Sequence, residues 1–107
     1  MSRMTGLYKS RGGLIRCEVT LDRDRIRDII LSGDFFLYPE DALIHVTDAL
    51  HGLSIRSREA LVRAIENAYA EYGVISPGCE PADFVSAIRD AIKEENEGVT
   101  GEWMSGV

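Results

Sequence analysis

Two cysteines, two histidines and a scatter of carboxylates are the residues of this chain whose types could do chemistry. His45 and His51 lie six positions apart, which is not a same-face helical spacing for two metal ligands. A zinc site built from them with Cys17 and Cys79 would need four dispersed residues to converge through the fold. Cys17 falls in a strand pattern and Cys79 in a loop, so buried or free thiols are expected rather than a disulfide. Lys9 and Lys93 are the only lysines, and neither sits in an apolar context that would depress its pKa. No glycine-rich loop is followed by Lys-Ser/Thr, so there is no P-loop. Arg11-Gly12-Gly13 reads as a turn and is too short to specify phosphate or RNA binding. Glu94, Glu95 and Glu97 form a solvated face. Asp34 is the one acid in an unusual setting, and its side chain can either hold a tight turn or act as a catalytic acid. No catalytic or metal-ligating residue is assigned, and the chain is expected not to catalyse alone.

The element that must position these groups is Ile29 to Pro39. Its β-branched start reads as a strand, Gly33-Asp34 supplies residues suited to unusual backbone angles, and Pro39 closes it. A continuous pleat places Ile29, Leu31, Gly33, Phe35 and Leu37 on one face and Ile30, Ser32, Asp34, Phe36 and Tyr38 on the other. The first face is apolar and reads as core. The second carries two aromatics that a small domain would normally hide, making Phe36 and Tyr38 candidates for a partner interface. A bulge at Gly33 would swap these roles beyond it.

Upstream, Met1 to Thr5 is expected to be loosely held, Gly6 to Ser10 to form a short strand, and Gly12-Gly13 to complete a flexible turn. Ile15, Cys17, Val19 and Leu21 alternate with Arg16, Glu18 and Thr20, the pattern of a half-buried antiparallel strand. Asp22 to Arg25 makes a hairpin connection to a strand beginning at Ile26. Downstream, Pro39 is expected in the first turn of a helix with Leu43, Val46 and Leu50 inward and Gly52 as its end. Ser57 should cap a second helix with Leu61, Ile65, Ala68 and Tyr72 inward and Gly73 as the stop. Pro81 should open a third, striped by Phe84, Ile88, Ala91 and Ile92, running to about Asn96 and ended by Gly98. Trp103, the only tryptophan, lies in a tail that either frays or docks on something. The fold class is α+β: an antiparallel meander of two to three strands followed by three helices on one face. Its uncovered face is a reason to look for a partner.

The 107 residues are read as a single domain over 1–107, able to bury roughly 65% of its unfolded surface. The net charge of −6 argues against a general nucleic-acid or anionic-membrane binder, but it is unevenly spread. Residues 1–27 hold seven basic and three acidic groups, a net of +4, whereas the rest hold five basic and fifteen acidic, a net of −10. Internal complementarity accounts for this, as does an anion-facing or partner-facing hairpin. With no spanning apolar run and no signal peptide, a cytoplasmic location is expected.

Lys9, Gly12-Gly13, the alternating strand to Leu21, Ile26 to Ile30, Ser32-Gly33-Asp34-Phe35-Phe36, Pro39, Leu43, Leu50 and Gly52 follow one another in an order that resembles a known family. It is the accessory (C-terminal) domain of lipoate-protein ligases, in the stand-alone form found when the ligase is split into two chains, as in many archaea. The resemblance extends through Pro81-Ala82-Asp83-Phe84 to Ala91 and to Trp103-Met104. Where the family commonly has a lysine after the paired glycines this chain has Leu14, so a ligand contact by such a lysine is not carried over. The resemblance implies that a catalytic partner subunit holds ATP, magnesium and lipoate, and that this chain binds no cofactor alone. The small subunit is then needed to form lipoyl-adenylate, ahead of transfer to lipoyl-domain acceptor proteins. The family also looks similar in fold to iron-sulfur scaffold proteins, an alternative weakened by having two cysteines where such scaffolds usually offer three. An acidic adaptor unrelated to lipoate is the third class.

Overall fold

The computed structural model describes residues 3–100, with side chains described as far as Lys93. Three antiparallel strands, β1 (Arg3–Ser10), β2 (Gly13–Asp22) and β3 (Arg25–Gly33), lie side by side in chain order. Three helices follow: α1 (Ala42–Leu50), α2 (Arg58–Tyr72) and α3 (Pro81–Thr100). This is the α+β arrangement expected.

Alternation along β2 buries Ile15, Cys17 and Val19 completely, and register brings Cys17 between Gly6 and Leu31, and Val19 between Met4 and Ile29. One irregularity decides the core face of β3. Thr20 pairs with Asp28 but Leu21 pairs with Ile26, so Arg27 is an extra residue on β3. Through that bulge Ile26 and Ile29, three apart, both reach the core, where strict alternation would expose one of them. The bulge thus lies at Arg27, not at Gly33.

Helix α3 packs on β1 and β2, α1 packs on β3, and α2 packs against both helices, so that Phe84, Val85, Ile88 and Ala91 of α3 join Leu61 and Ile65 of α2 and Val46 and Leu50 of α1 in one apolar cluster. Strand β1 runs directly beneath α3. A Cβ on Gly6 would stand 2.6 Å from the Ala87 carbonyl oxygen and would overlap the Ala91 backbone nitrogen, so only glycine permits that approach. The Asp90 carboxylate of α3 then accepts the outward Leu7 N–H at 2.9 Å, satisfying part of an edge strand. At the other edge, Ile26 exchanges backbone bonds with Gly52 and Leu53 at 2.7 and 2.9 Å.

Four expectations are corrected. Strand β1 begins at Arg3, because Arg3, Met4 and Thr5 pair with Thr20, Val19 and Glu18 instead of lying loose. Helix α1 begins at Ala42, not at Pro39. Tyr38 is held extended by mutual backbone bonds to Ile75, the Tyr38–Pro39 peptide is cis, and the Pro39 carbonyl accepts the Ala42 N–H at 2.8 Å in a turn ahead of the helix. The later start makes Ala42, Val46 and Leu50 the buried stripe and leaves Leu43 only half-buried. Tyr72 is exposed and stacks on His45 of α1 at 3.6 Å between ring centroids, while Tyr69 takes the inward position and bonds Ser76 through its hydroxyl. Helix α3 continues through Gly98 to Thr100, since one glycine lowers helix propensity by only about 1 kcal/mol. Elsewhere, Ser57 caps α2 by accepting the Ala60 N–H, and Gly73 ends it in the left-handed region, as expected.

Candidate functional site

Three glycine-bearing turns meet at one end of the sheet. Gly13 has φ +131° and lies so close to Asp34 that a Cβ would stand 2.6 Å from its carbonyl oxygen. Gly33, at φ +141°, leaves no room for a Cβ beside the Leu14 carbonyl, and Asp34 donates its N–H to that same carbonyl at 2.9 Å. Gly12 packs on the Pro77-Gly78 turn, where a Cβ would come within 2.9 Å of the Gly78 carbonyl carbon. Ser10 completes the corner, accepting the Gly12 N–H and donating to the Gly13 carbonyl. Gly12, Gly13, Gly33 and Asp34, distant in sequence, therefore form one rigid junction through their backbones, and the Asp34 side chain is exposed at its rim.

From this junction the chain leaves the sheet, yet its alternation persists. Phe35 turns inward and meets Phe84 edge-on, with ring centroids 5.2 Å apart at 88°, and Leu37 packs on the core. Phe36 and Tyr38 turn outward, 61% and 58% exposed. Tyr38 is fixed by a two-bond antiparallel bridge to Ile75, at 2.9 and 2.8 Å, so the Ile75 side chain, 57% exposed, stands beside it. Ile75 was not picked out by sequence; the signal available was the β-branched pair Val74-Ile75 inside a stretch otherwise typical of a loop. Three large apolar side chains held outward on a braced backbone suit burial against another protein. Trp103, the third interface candidate, lies outside the described residues.

The uncovered sheet face is mixed. Leu7, Leu14 and Ile30 are exposed there, interspersed with Arg3 and Arg16, both of which pair with Glu18 at 3.2 and 3.3 Å. These pairs lie within the hairpin itself. An ion pair crossing to the helical part, Arg56 to Asp24 at 2.8 Å, has a hairpin acid and a helical base, opposite to what overall charge complementarity would produce. The Ser54 hydroxyl and then Arg56 hold the Asp24 carboxyl below the usual range.

Neither thiol is poised as a nucleophile. Both cysteines are free and buried. Burial, with a smaller contribution from Glu18, pushes Cys17 up to about 12, and burial likewise raises Cys79. His45 shares a contact with Asp41 at 3.3 Å and is stacked on Tyr72. Among the described residues no three His, Cys, Asp or Glu side chains gather as a metal would require, and no helix is long and apolar enough to cross a membrane.

No family model matches the chain. It is 45% identical to lipoate-protein ligase A subunit 2 of Thermoplasma acidophilum over 82 residues, 77% of this chain and 83% of that protein. Its fold is similar to a solved chain from an archaeal lipoylation system of the same organism, a bipartite lipoate-protein ligase with its E2 lipoyl domain. The TM-score is 0.71 at 43% identity, over 80% of this chain and 93% of that one. With that identity over most of both chains, and a similar fold, this protein belongs to the lipoate-protein ligase A subunit 2 family.

Proposed function

We propose that this chain is the accessory subunit of a two-chain lipoate-protein ligase. It is non-catalytic alone and is required with the catalytic subunit for ATP-dependent activation of lipoate to lipoyl-adenylate, ahead of transfer to a lysine of lipoyl-domain acceptor proteins. The observation that carries this reading is the 45% identity to a subunit 2 over most of the chain. The outward row of Phe36, Tyr38 and Ile75 adds a surface fit to meet the catalytic subunit. ATP, magnesium and lipoate are held by that partner, and the pair works in the cytoplasm.

Having no activated thiol of its own, the chain contributes by shaping its partner's site. Such an effect matters most where two substrates must be held in line, and attack of the lipoate carboxylate on ATP joins two anions in a pocket that must exclude water. Acyl transfer from finished adenylate instead needs the acceptor to enter. The test is pyrophosphate release with and without this chain, beside acceptor lipoylation from preformed lipoyl-adenylate. The subunit should raise adenylate formation more than about tenfold, roughly 1.4 kcal/mol in barrier, and leave transfer by the catalytic chain nearly unchanged. Equal dependence of both half-reactions would refute selective site closure.

A further inference from the structure

The outward row of Phe36, Tyr38 and Ile75 does not stop at Ile75. Gly73 ends α2 in the left-handed region and the Val74 N–H bonds the Tyr69 carbonyl at 3.0 Å, so the chain turns within three residues from Tyr72 to Ile75, where Tyr38 is bonded. Tyr72, 44% exposed, is held flat against His45 of α1, with the rings 3.6 Å apart and 7° from parallel. The two rings line a groove of about 260 Å³ between α1 and α2, together with Asp48, Ala49, Ala68 and Glu71. Ile44, 60% exposed, lies one helical turn before Asp48 and so borders the same groove. Five large exposed apolar side chains thus follow one path, from Phe36 over Tyr38, Ile75 and Tyr72 to Ile44.

Area and charge decide what covers this path. Phe36, Tyr38 and Ile75 expose roughly 100 Å² each, well short of the about 800 Å² a side that a lasting heterodimer buries. Extending the contact over the uncovered sheet face would bury Arg16 and Glu18 of the central strand β2, whereas interface cores are depleted of charge. Extending it over Tyr72 and Ile44 adds two more apolar side chains and a groove floored by alanines, with the exposed Asp48 and Glu71 at its rim. Those acids argue against a second copy of this chain as the occupant. A two-fold contact would set the acidic rim against itself, and no lysine or arginine is among the described residues lining the groove. Tyr38 is fixed by its backbone bridge and Tyr72 by its stack, so little freedom is lost when a partner covers them. Resting on the function proposed above, we infer that the catalytic subunit covers the whole path, with Tyr72 and Ile44 as anchors beyond the row of three.

The experiment titrates this chain into the catalytic subunit by calorimetry, as wild type and as Ile44→Glu, Tyr72→Ala and, on the sheet face, Ile30→Thr. Ile44→Glu and Tyr72→Ala should each raise the Kd about tenfold or more, and the concentration of this chain giving half-maximal pyrophosphate release should rise in step. Tyr72→Phe keeps the ring and should retain most of the affinity. Ile30→Thr should leave the Kd within about twofold. Tyr72→Ala also removes packing between α1 and α2, whereas Ile44→Glu changes an exposed position and should keep the wild-type melting temperature, so it decides the matter if Tyr72→Ala unfolds. An unchanged Kd for Ile44→Glu, with Phe36→Ala weakened, overturns the extension and leaves the proposed function standing. A loss confined to Ile30→Thr would carry the interface over the sheet face and equally overturn it. So would a dimer of this chain alone, seen by sedimentation and dissociated by Ile44→Glu, with binding to the catalytic subunit unaltered. Failure of the wild-type chain to bind the catalytic subunit at all would refute the proposed function itself, and this inference with it.

Discussion

Phe35 and Phe36 are adjacent in sequence and opposite in role, so paired alanine substitutions separate folding from association. Complete removal of a buried phenylalanine costs about 3 to 5 kcal/mol, and Phe35, half-buried, should lose about 2 to 3, including roughly 1 from its edge-on contact with Phe84 at 5.2 Å. In a chain of this size each kcal/mol shifts the melting temperature by about 4 to 8 °C, so Phe35→Ala should melt roughly 10 to 20 °C lower. Phe36 is 61% exposed and has little burial to lose, so Phe36→Ala should cost about 1 kcal/mol or less. Its loss should appear in association with the catalytic subunit, where an aromatic anchor contributes about 2 kcal/mol or more, equivalent to roughly thirtyfold in Kd. Tyr38→Ala should behave like Phe36→Ala, because its bridge to Ile75 is made by backbone atoms that alanine keeps. Thermal unfolding followed by circular dichroism and calorimetric titration into the catalytic subunit measure the two effects. If Phe36→Ala collapses the melting temperature while Phe35→Ala mainly weakens association, the assignment of faces is wrong.

Gly6→Ala should destabilise by about 2 kcal/mol or more, because the new methyl meets the backbone of α3 at Ala87 and Ala91, which no rotamer change can relieve; an unchanged urea midpoint would contradict that packing. Cys17 should resist thiol reagents at pH 8 in the native state and react on unfolding. Its folded pKa, pushed up to about 12, lies above the ordinary thiol value of an unfolded chain, so the stability gained by burying the neutral thiol is present below pH 9 and lost as pH rises towards 12. Asp24 shows the opposite sign. Its folded pKa is lowered by Ser54 and Arg56, so its contribution is present above the unfolded pKa and lost as pH falls through the folded one. Asp24→Asn should therefore lower the urea midpoint at pH 7 and leave it unchanged in acid below both values.

Local pattern alone settled much of this protein. Alternation specified the core face of β2 and, past Gly33, the outward Phe36 and Tyr38, because a residue's side in an extended chain depends only on its parity. Ser57 and Gly73 marked the bounds of α2, because caps act on backbone groups within one turn. What the sequence could not supply were the meetings between distant backbones. The bulge at Arg27 exists because β2 and β3 must share a core face across a two-residue turn. Helix α1 starts late because Tyr38 is drawn into a bridge with Ile75, thirty-seven positions on, and that bridge also brings Ile75 into the apolar row. A groove lined by Arg58 and Arg89 is likewise tertiary: they lie thirty-one positions apart, and only the packing of α3 over β1, which Gly6 permits, and beside the start of α2 brings both into one lining. Pattern is local because torsional preference and alternation are local, whereas a surface that can hold a partner depends on which elements the core draws together.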